Sequence, residues 1–253
     1  MPSERLNRLL MFRNTYLMLP KGFFRLVISE QDFDEVLSAE SGVADEPAPP
    51  LLRKVGRRLT PWFWPRIWEA QRWVQASDST WYKPSTYQIP EPGPLMVRLL
   101  ETTAPTASVV DLGCNSGSNL NFLYQAGFRR LSGVDAGREA LQLFERTYPD
   151  TWACADVKHD LFQHYLSTLA DDSVDVLHCN GVTIELVHPS FPIVKEICRV
   201  ARDAVFISLT EEGHSYPRYY IRQFEANGFR LVWCRRPLDV RNESSILHFV
   251  RAG

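Results

Sequence analysis

The sequence predicts an α/β protein: a mostly parallel sheet of seven strands with helices on both faces, preceded by a helical, tryptophan-rich cap. Three observations carry this. From residue 108 onward, short apolar runs alternate with amphipathic stretches at a spacing that suits strand–helix–strand units. The first run ends in a glycine turn that opens a helix, Val109-Val110-Asp111-Leu112-Gly113-Cys114-Asn115-Ser116-Gly117-Ser118-Asn119-Leu120. The last two runs are joined by a short polar segment, Asp239-Val240-Arg241-Asn242-Glu243, which suits an antiparallel pair and not a helical crossover.

In order along the chain, residues 1–40 combine a short amphipathic helix (Leu6, Leu9, Leu10) with a strand at Phe24–Ile28. Residues 41–50, rich in proline and small residues, read as a linker or mobile loop. Pro61-Trp62-Phe63-Trp64-Pro65-Arg66-Ile67-Trp68 follows, then Trp73 and Trp81; Trp64, Ile67, Trp68 and Val74 share one helix face. A further helix begins at Leu95–Leu100, and the division into an N-terminal extension (1–100) and a sheet domain (101–253) falls there. Strands are expected at 108–113, 131–135, 151–156, 174–179, 203–209, 229–235 and 245–251. Helices are expected at about 117–127, 138–147, 160–169, 189–201 and 217–227.

The bulk numbers narrow the function. A chain of 253 residues with 45% hydrophobic content can bury a sizeable core. A net charge of −2 and a pI near 6.3, with no basic block, argue against a nucleic-acid partner. No apolar run reaches membrane-span length, and Met1-Pro2-Ser3-Glu4-Arg5 is followed by no apolar leader core, so the expectation is a cytoplasmic protein without stable membrane insertion. The five cysteines form no Cys-x-x-Cys pair; they read as buried reduced thiols, and no metal site is expected. Homo-oligomerisation stays open.

Ligands of open parallel sheets bind beyond the carboxyl ends of the strands. Strand one offers Gly113, Cys114, Asn115 and Gly117 there, and strand two offers Asp135 with Ala136. Strand three, read as Thr151–Asp156, offers Asp156 and Val157; strand four offers Asn180 and Gly181. Bare glycines admit a ligand against backbone, and an acid ending the second strand can take both hydroxyls of a ribose. A dinucleotide reading is poorer, since the Gly-x-Gly-x-x-Gly order is missing, and no Lys-Ser or Lys-Thr pair serves a nucleoside triphosphate.

Asp111-Leu112-Gly113-Cys114-Asn115-Ser116-Gly117 resembles the first motif of class I S-adenosylmethionine-dependent methyltransferases, acid-x-Gly-x-Gly-x-Gly, with Asn115 where the family usually has glycine. The resemblance spans about residues 105–253. It implies a Rossmann-like fold with strand order 3-2-1-4-5-7-6 and S-adenosyl-L-methionine as cofactor. It further implies that Gly113 to Gly117, with Cys114 and Asn115 between, approach the methionine part while Asp111 braces the turn. Asp135, followed by Ala136, would bind the ribose hydroxyls. Asp156 would accept from the adenine amino group, helped by the Val157 amide, and the Asn180 carbonyl would pass near the methionine amine.

Methyl transfer from a sulfonium is an in-line displacement, so the protein mainly positions an acceptor and, for a hydroxyl, removes a proton. Candidate bases beyond strands four and five are Glu185, His188, Glu211, Glu212 and His214, with His188, Glu185 and His214 preferred. His178 lies inside strand four and reads as a packing residue; His188-Pro189 also suits a plain helix start, and the loop around His214 a solvated one. The run from Gly181-Val182 to Glu196-Ile197-x-Arg199-Val200 is similar to methylases of sugar and secondary-metabolite pathways, which implies a small hydroxylated acceptor. N- or C-methylation and a silent cofactor-binding subunit are the alternatives. An aminopropyl transferase would want paired acids, and no clear pair is present. The tryptophan segment reads as a substrate lid, a plain cap or a membrane-surface helix.

Overall fold

The computed structural model describes residues 83–181, 184–187, 191–209, 218–235 and 245–253. The expected linker, the Leu6–Leu10 helix, the Phe24–Ile28 strand and the tryptophan segment lie outside them.

A 3-10 turn at Pro84–Tyr87 leads to helix α1 (Pro94–Thr102). Strand β1 (Ser108–Leu112), helix α2 (Ser118–Gln125), strand β2 (Arg130–Asp135) and helix α3 (Arg138–Thr147) follow. A short helix α4 (Pro149–Cys154) precedes strand β3 (Asp156–His159) and helix α5 (Phe162–Thr168). Strand β4 (Val174–Cys179), a 3-10 turn at Ile184–Leu186, helix α6 (Ile193–Val200) and strand β5 (Ala201–Leu209) come next. Helix α7 (Tyr220–Ala226) and strands β6 (Phe229–Arg235) and β7 (Ser245–Arg251) complete the described chain.

The seven strands form one sheet in the order β3-β2-β1-β4-β5-β7-β6. β1, β2, β3, β4 and β5 pair in parallel, and β7 runs antiparallel to both β5 and β6. The seven-stranded, mostly parallel sheet and the strand order expected from the sequence are therefore the observed ones, while the expected helical cap lies outside the described residues. Strict alternation along the strands sends successive side chains to two apolar layers. Val110, Leu112, Leu177, Val205 and Ile207 join α6 and α7 in one layer; Val109, Val176 and Phe206 join Leu95, Met96 and Leu99 of α1 and Leu120 of α2 in the other.

Among the described residues, the third strand is the element the sequence misplaces. Residues 149–154 are helix, not strand: Pro149 occupies the first turn, where its missing amide proton costs nothing, and Asp150 favours the helix amino end. Trp152 then sits edge-on to Phe144 of α3 at 5.3 Å, and the Thr151 hydroxyl donates to Asn121 Oδ1 at 2.9 Å. β3 starts only at Asp156, beside Ser132, and Asp135 is level with His159.

Far from the glycine turn, an arginine fastens helix α6 to helix α5 and the turn that follows it. Arg199 donates to Glu196, Asp171 and the carbonyls of Leu166 and Leu169, so the Glu196–Arg199 run that suggested a substrate class serves packing here.

Candidate cofactor and acceptor site

The chain leaves β1 through backbone that ordinary residues avoid. Gly113 and Gly117 have φ of 76° and 78°, and Asn115 has φ of 46°. Asparagine is among the few side-chain-bearing residues that enter this left-handed region readily, which explains how it replaces a glycine. Its Oδ1 accepts the Ser116 amide at 2.7 Å. The amides of Gly113 and Cys114 both donate to the Val134 carbonyl, tying the turn to β2. The Cys114 side chain points down, buried beside Gly133, where an added Cβ would lie 2.9 Å from its sulfur. Burial, then the Asp135 and Asp111 carboxylates, hold that thiol well above its ordinary pKa, so it is inert. At Gly117 an added Cβ would fall 2.1 Å from the Phe144 ring, so packing by α3 excludes a side chain there.

Asp135 ends β2 and joins two turns. One carboxylate oxygen accepts the Asn115 amide at 2.9 Å and the other the Gly137 amide at 2.7 Å. Burial raises its pKa above the ordinary aspartate value, and the two amides and His159 only partly counter this. Each oxygen keeps a second lone pair for a hydroxyl donor. Ala136, half-buried, turns its carbonyl to His159 Nε2 at 3.1 Å.

Asp156 and Val157 require correction. The β3 register puts Asp156 at the amino end of the strand, where it is exposed and pairs with Lys158 at 2.7 Å; Val157 is level with Gly133. Neither reaches the carboxyl end. The acid that does is Asp160, whose amide donates to the Asp135 carbonyl and whose Oδ1 accepts the Leu161 amide at 2.7 Å. The signal was a second acid four residues on, which the strand reading over 151–156 displaced.

Past β4, Asn180 is half-buried and Gly181 has φ of 86°. Glu185 lies in the following 3-10 turn with 1% of its surface exposed. Arg218, at the start of the α7 segment and buried, donates to the carbonyls of Ile184, at 3.2 Å, and Val187, holding this loop from below. No sequence pattern marked Arg218. His188, Glu211, Glu212 and His214 lie outside the described residues.

Beneath the turn, Asp111 and His178 face one another across β1 and β4. They are in register, fully buried, and joined by a 2.8 Å hydrogen bond from Nδ1 to Oδ1. On the other side of the turn, Ser118 fastens the incoming chain: its hydroxyl donates to the Tyr87 carbonyl at 3.1 Å and accepts the Ile89 amide at 3.3 Å. Gln88 donates to Thr147 at 2.8 Å. Residues 87–89 are thus strapped to the helix that opens from the glycine turn.

The residues fit an adenosyl-amino-acid cofactor. The turn presents backbone in left-handed conformation, the β2 acid has acceptor capacity, and buried polar atoms of Ser116, Asp111 and His178 beneath the turn lack protein partners. Residues 109–204 match a family model described as a methyltransferase domain. With the strand order and the turn, this identifies a methyltransferase domain within the chain, and S-adenosyl-L-methionine is its cofactor.

Among solved structures, the chain is similar to magnesium protoporphyrin IX methyltransferase from Synechocystis with bound S-adenosylmethionine, at 18% identity and a TM-score of 0.56, over 72% of this chain and 97% of that one. It is also similar to 1,6-didemethyltoxoflavin-N1-methyltransferase from Burkholderia thailandensis, at 14% identity and a TM-score of 0.52, over 85% and 100% of the two chains. At these identities the likeness concerns the fold. No curated protein matches the sequence significantly. Among the described residues, no helix is long and apolar enough to cross a membrane, and no group of three or more His, Cys, Asp or Glu could hold a metal ion.

Proposed function

We propose that this enzyme methylates a hydroxyl of a small sugar-like or natural-product molecule in the cytoplasm. The observation that carries the proposal is Glu185: a carboxyl buried in the loop after β4, on a segment that Arg218 holds in place, beyond the same sheet edge as the glycine turn. A carboxylate placed beyond the strand ends can accept the proton that a hydroxyl acceptor loses. Glu185, or His188 beside it in sequence, takes the hydroxyl proton as the acceptor oxygen becomes nucleophilic; His214 is the third candidate. The cofactor supplies an electrophilic methyl group. Gly113 to Gly117 and Asn180 hold its methionine part, Asp135 with Ala136 its ribose, and Asp160, in place of Asp156, its adenine amino group.

Residues 1–100 act as an extension over the 101–253 domain, with the tryptophan segment serving as a lid. The strap at Tyr87–Ile89 supports this, because it brings the chain that follows that segment onto the helix leaving the cofactor turn. A lid excludes water and aligns the acceptor, the contribution that displacement chemistry needs most.

The test is transfer of labelled methyl from S-adenosylmethionine into the small-molecule fraction of source cells, followed by structure determination of the product. A methyl ether is the expected linkage. A methylated nitrogen or carbon overturns the acceptor assignment, and binding without turnover on any fraction favours a silent cofactor-binding subunit.

A further inference from the structure

The β6 margin of the sheet carries cations that no described acid balances. Arg230, Trp233 and Arg235 of β6 are level with Val250, His248 and Ile246 of β7. Residues level across an antiparallel pair project to the same face, and Ile246 and Val250 pack into the layer that contains α1. The three β6 side chains therefore stand in a row on the α1 face, over about 15 Å at the rise of a strand. Helix α7 packs against β6 from the other face. On this face α1 lies over β5 and β7 and reaches β6 through Arg98, whose guanidinium carbon is 5.6 Å from the centre of the Trp233 ring.

Three arginines thus gather around one indole. Among the described residues none of them pairs with a carboxylate, although Glu101 is exposed one turn along from Arg98. At the amino ends of the parallel strands the arginines are paired: Arg130 and Arg202 meet Asp175, and Arg251 meets Asp172. Arg98 is the sharpest case. It is half-buried, and its Nε is buried without an acceptor. A guanidinium keeps its charge, and a desolvated cation without an anion is costly. The charge is felt nearby: burial first, and then Arg98, lower the His248 pKa to about 4. Water can solvate the exposed Arg230 and Arg235, but Arg98 lacks an oxyanion, and a guanidinium laid on an indole presents a rigid fork of donors to one.

From this cluster we infer a docking surface for an acidic protein segment, whose carboxylates meet Arg98, Arg230 and Arg235 while it covers Trp233. Charge complementarity selects this partner. A nucleic acid suits the face less well, because the chain has a net charge of −2 and no basic block extends the row. A bilayer would want apolar side chains to insert, and the row offers one half-buried indole. β6 stands four strand spacings from β1, about 19 Å, so the surface is separate from the cofactor turn.

Fluorescence anisotropy of labelled deca-glutamate with the full chain tests it, against deca-glutamine as the uncharged control. The wild type is expected to bind deca-glutamate, more weakly as salt rises, and to ignore deca-glutamine. Arg230→Gln combined with Arg235→Gln is expected to weaken binding by about tenfold or more, and Arg98→Gln alone by about threefold or more. Arg146→Gln combined with Lys195→Gln removes the same charge from exposed positions elsewhere and should change affinity by less than about twofold. Arg230 and Arg235 are exposed, so their double variant should melt as the wild type does. Should it fail to fold, Arg235→Glu alone decides by the same tenfold criterion. No binding by the wild type, equal loss in the two double variants, or tighter binding to phosphatidylserine vesicles or oligothymidylate than to deca-glutamate overturns the inference.

Discussion

Replacing Gly117 with alanine sets a methyl group where the ring of Phe144 already lies. The added Cβ would be 2.1 Å from one ring carbon and 2.4 Å from two others. Ordinary carbon–carbon contact is at about 3.5–4.0 Å, so the ring must retreat by more than an ångström. It has little room: Phe144 is fully buried and stands edge-on to Trp152 at 5.3 Å and to Tyr148 at 6.3 Å. Overpacking of this kind costs about 1–3 kcal/mol. The backbone adds about 1–2 kcal/mol, because φ is 78° and alanine disfavours the left-handed region. The sum is about 2–5 kcal/mol, a fall in melting temperature of roughly 5–15 °C for a chain of this size. Denaturant unfolding of the ligand-free protein measures it. Combining Gly117→Ala with Phe144→Leu should return the steric share, seen as a coupling of about 1–3 kcal/mol, and leave the backbone share behind. If the ligand-free stability of Gly117→Ala is unchanged and only affinity for S-adenosylhomocysteine falls, the position is bare for the cofactor and not for Phe144, and the reasoning fails.

Asp135→Ala is expected to weaken S-adenosylhomocysteine at least tenfold by calorimetry, since each lost hydrogen bond to the carboxylate is worth about 1.5–3 kcal/mol. For the wild type, affinity should fall on acidification at a higher pH than an ordinary aspartate would give, because burial raises the Asp135 pKa and the protonated carboxyl accepts less well; an acid-insensitive affinity refutes the ribose assignment. Asp160→Ala should cost about tenfold in the same titration through one lost hydrogen bond, while Asp156→Ala costs nothing; the reverse result would restore the sequence-based choice. His248 titrates near 4 in the fold, lowered first by burial and then by Arg98, against an ordinary value of 6.5. Its contribution is therefore complete above about pH 6.5 and is lost as the pH falls toward 4, about 3 kcal/mol in all. Urea titrations of His248→Phe across that window should show a flatter acid limb than the wild type, and identical slopes would refute this.

The glycine turn was legible because everything it needs is local: an apolar run, left-handed residues and a helix start within one stretch of chain. The same holds for β4, β6 and β7, whose apolar runs are bounded by clear breaks. The third strand was not, because Thr151-Trp152-Ala153-Cys154-Ala155 is short and apolar and suits either state. What decides it is Trp152 meeting Phe144 and Thr151 meeting Asn121, contacts made only in the folded chain. The acid at the carboxyl end of the third strand moved with it, from Asp156 to Asp160. The Asp111–His178 bond depends on the β1–β4 register, across 67 positions of sequence, and periodicity could only mark His178 as buried. Arg218 carried no signal, since a single arginine before a helix reads as a surface residue until the carbonyls of Ile184 and Val187 are found around it.

The brevity of β3 has a consequence beyond the cofactor. It is a terminal strand of the sheet, four residues long, and its outer row of amides and carbonyls could template a strand from another molecule. Three of its four side chains, Asp156, Lys158 and His159, are exposed, and the acid and lysine are paired with each other. A visiting strand would have to dehydrate these groups for very few backbone bonds in return. At the opposite margin, Arg230 and Arg235 are exposed on β6 and impose a similar penalty. Exchanging Asp156 and Lys158 together for valine or threonine would leave the cofactor turn untouched and yet give a protein that assembles edge to edge, visible as concentration-dependent light scattering.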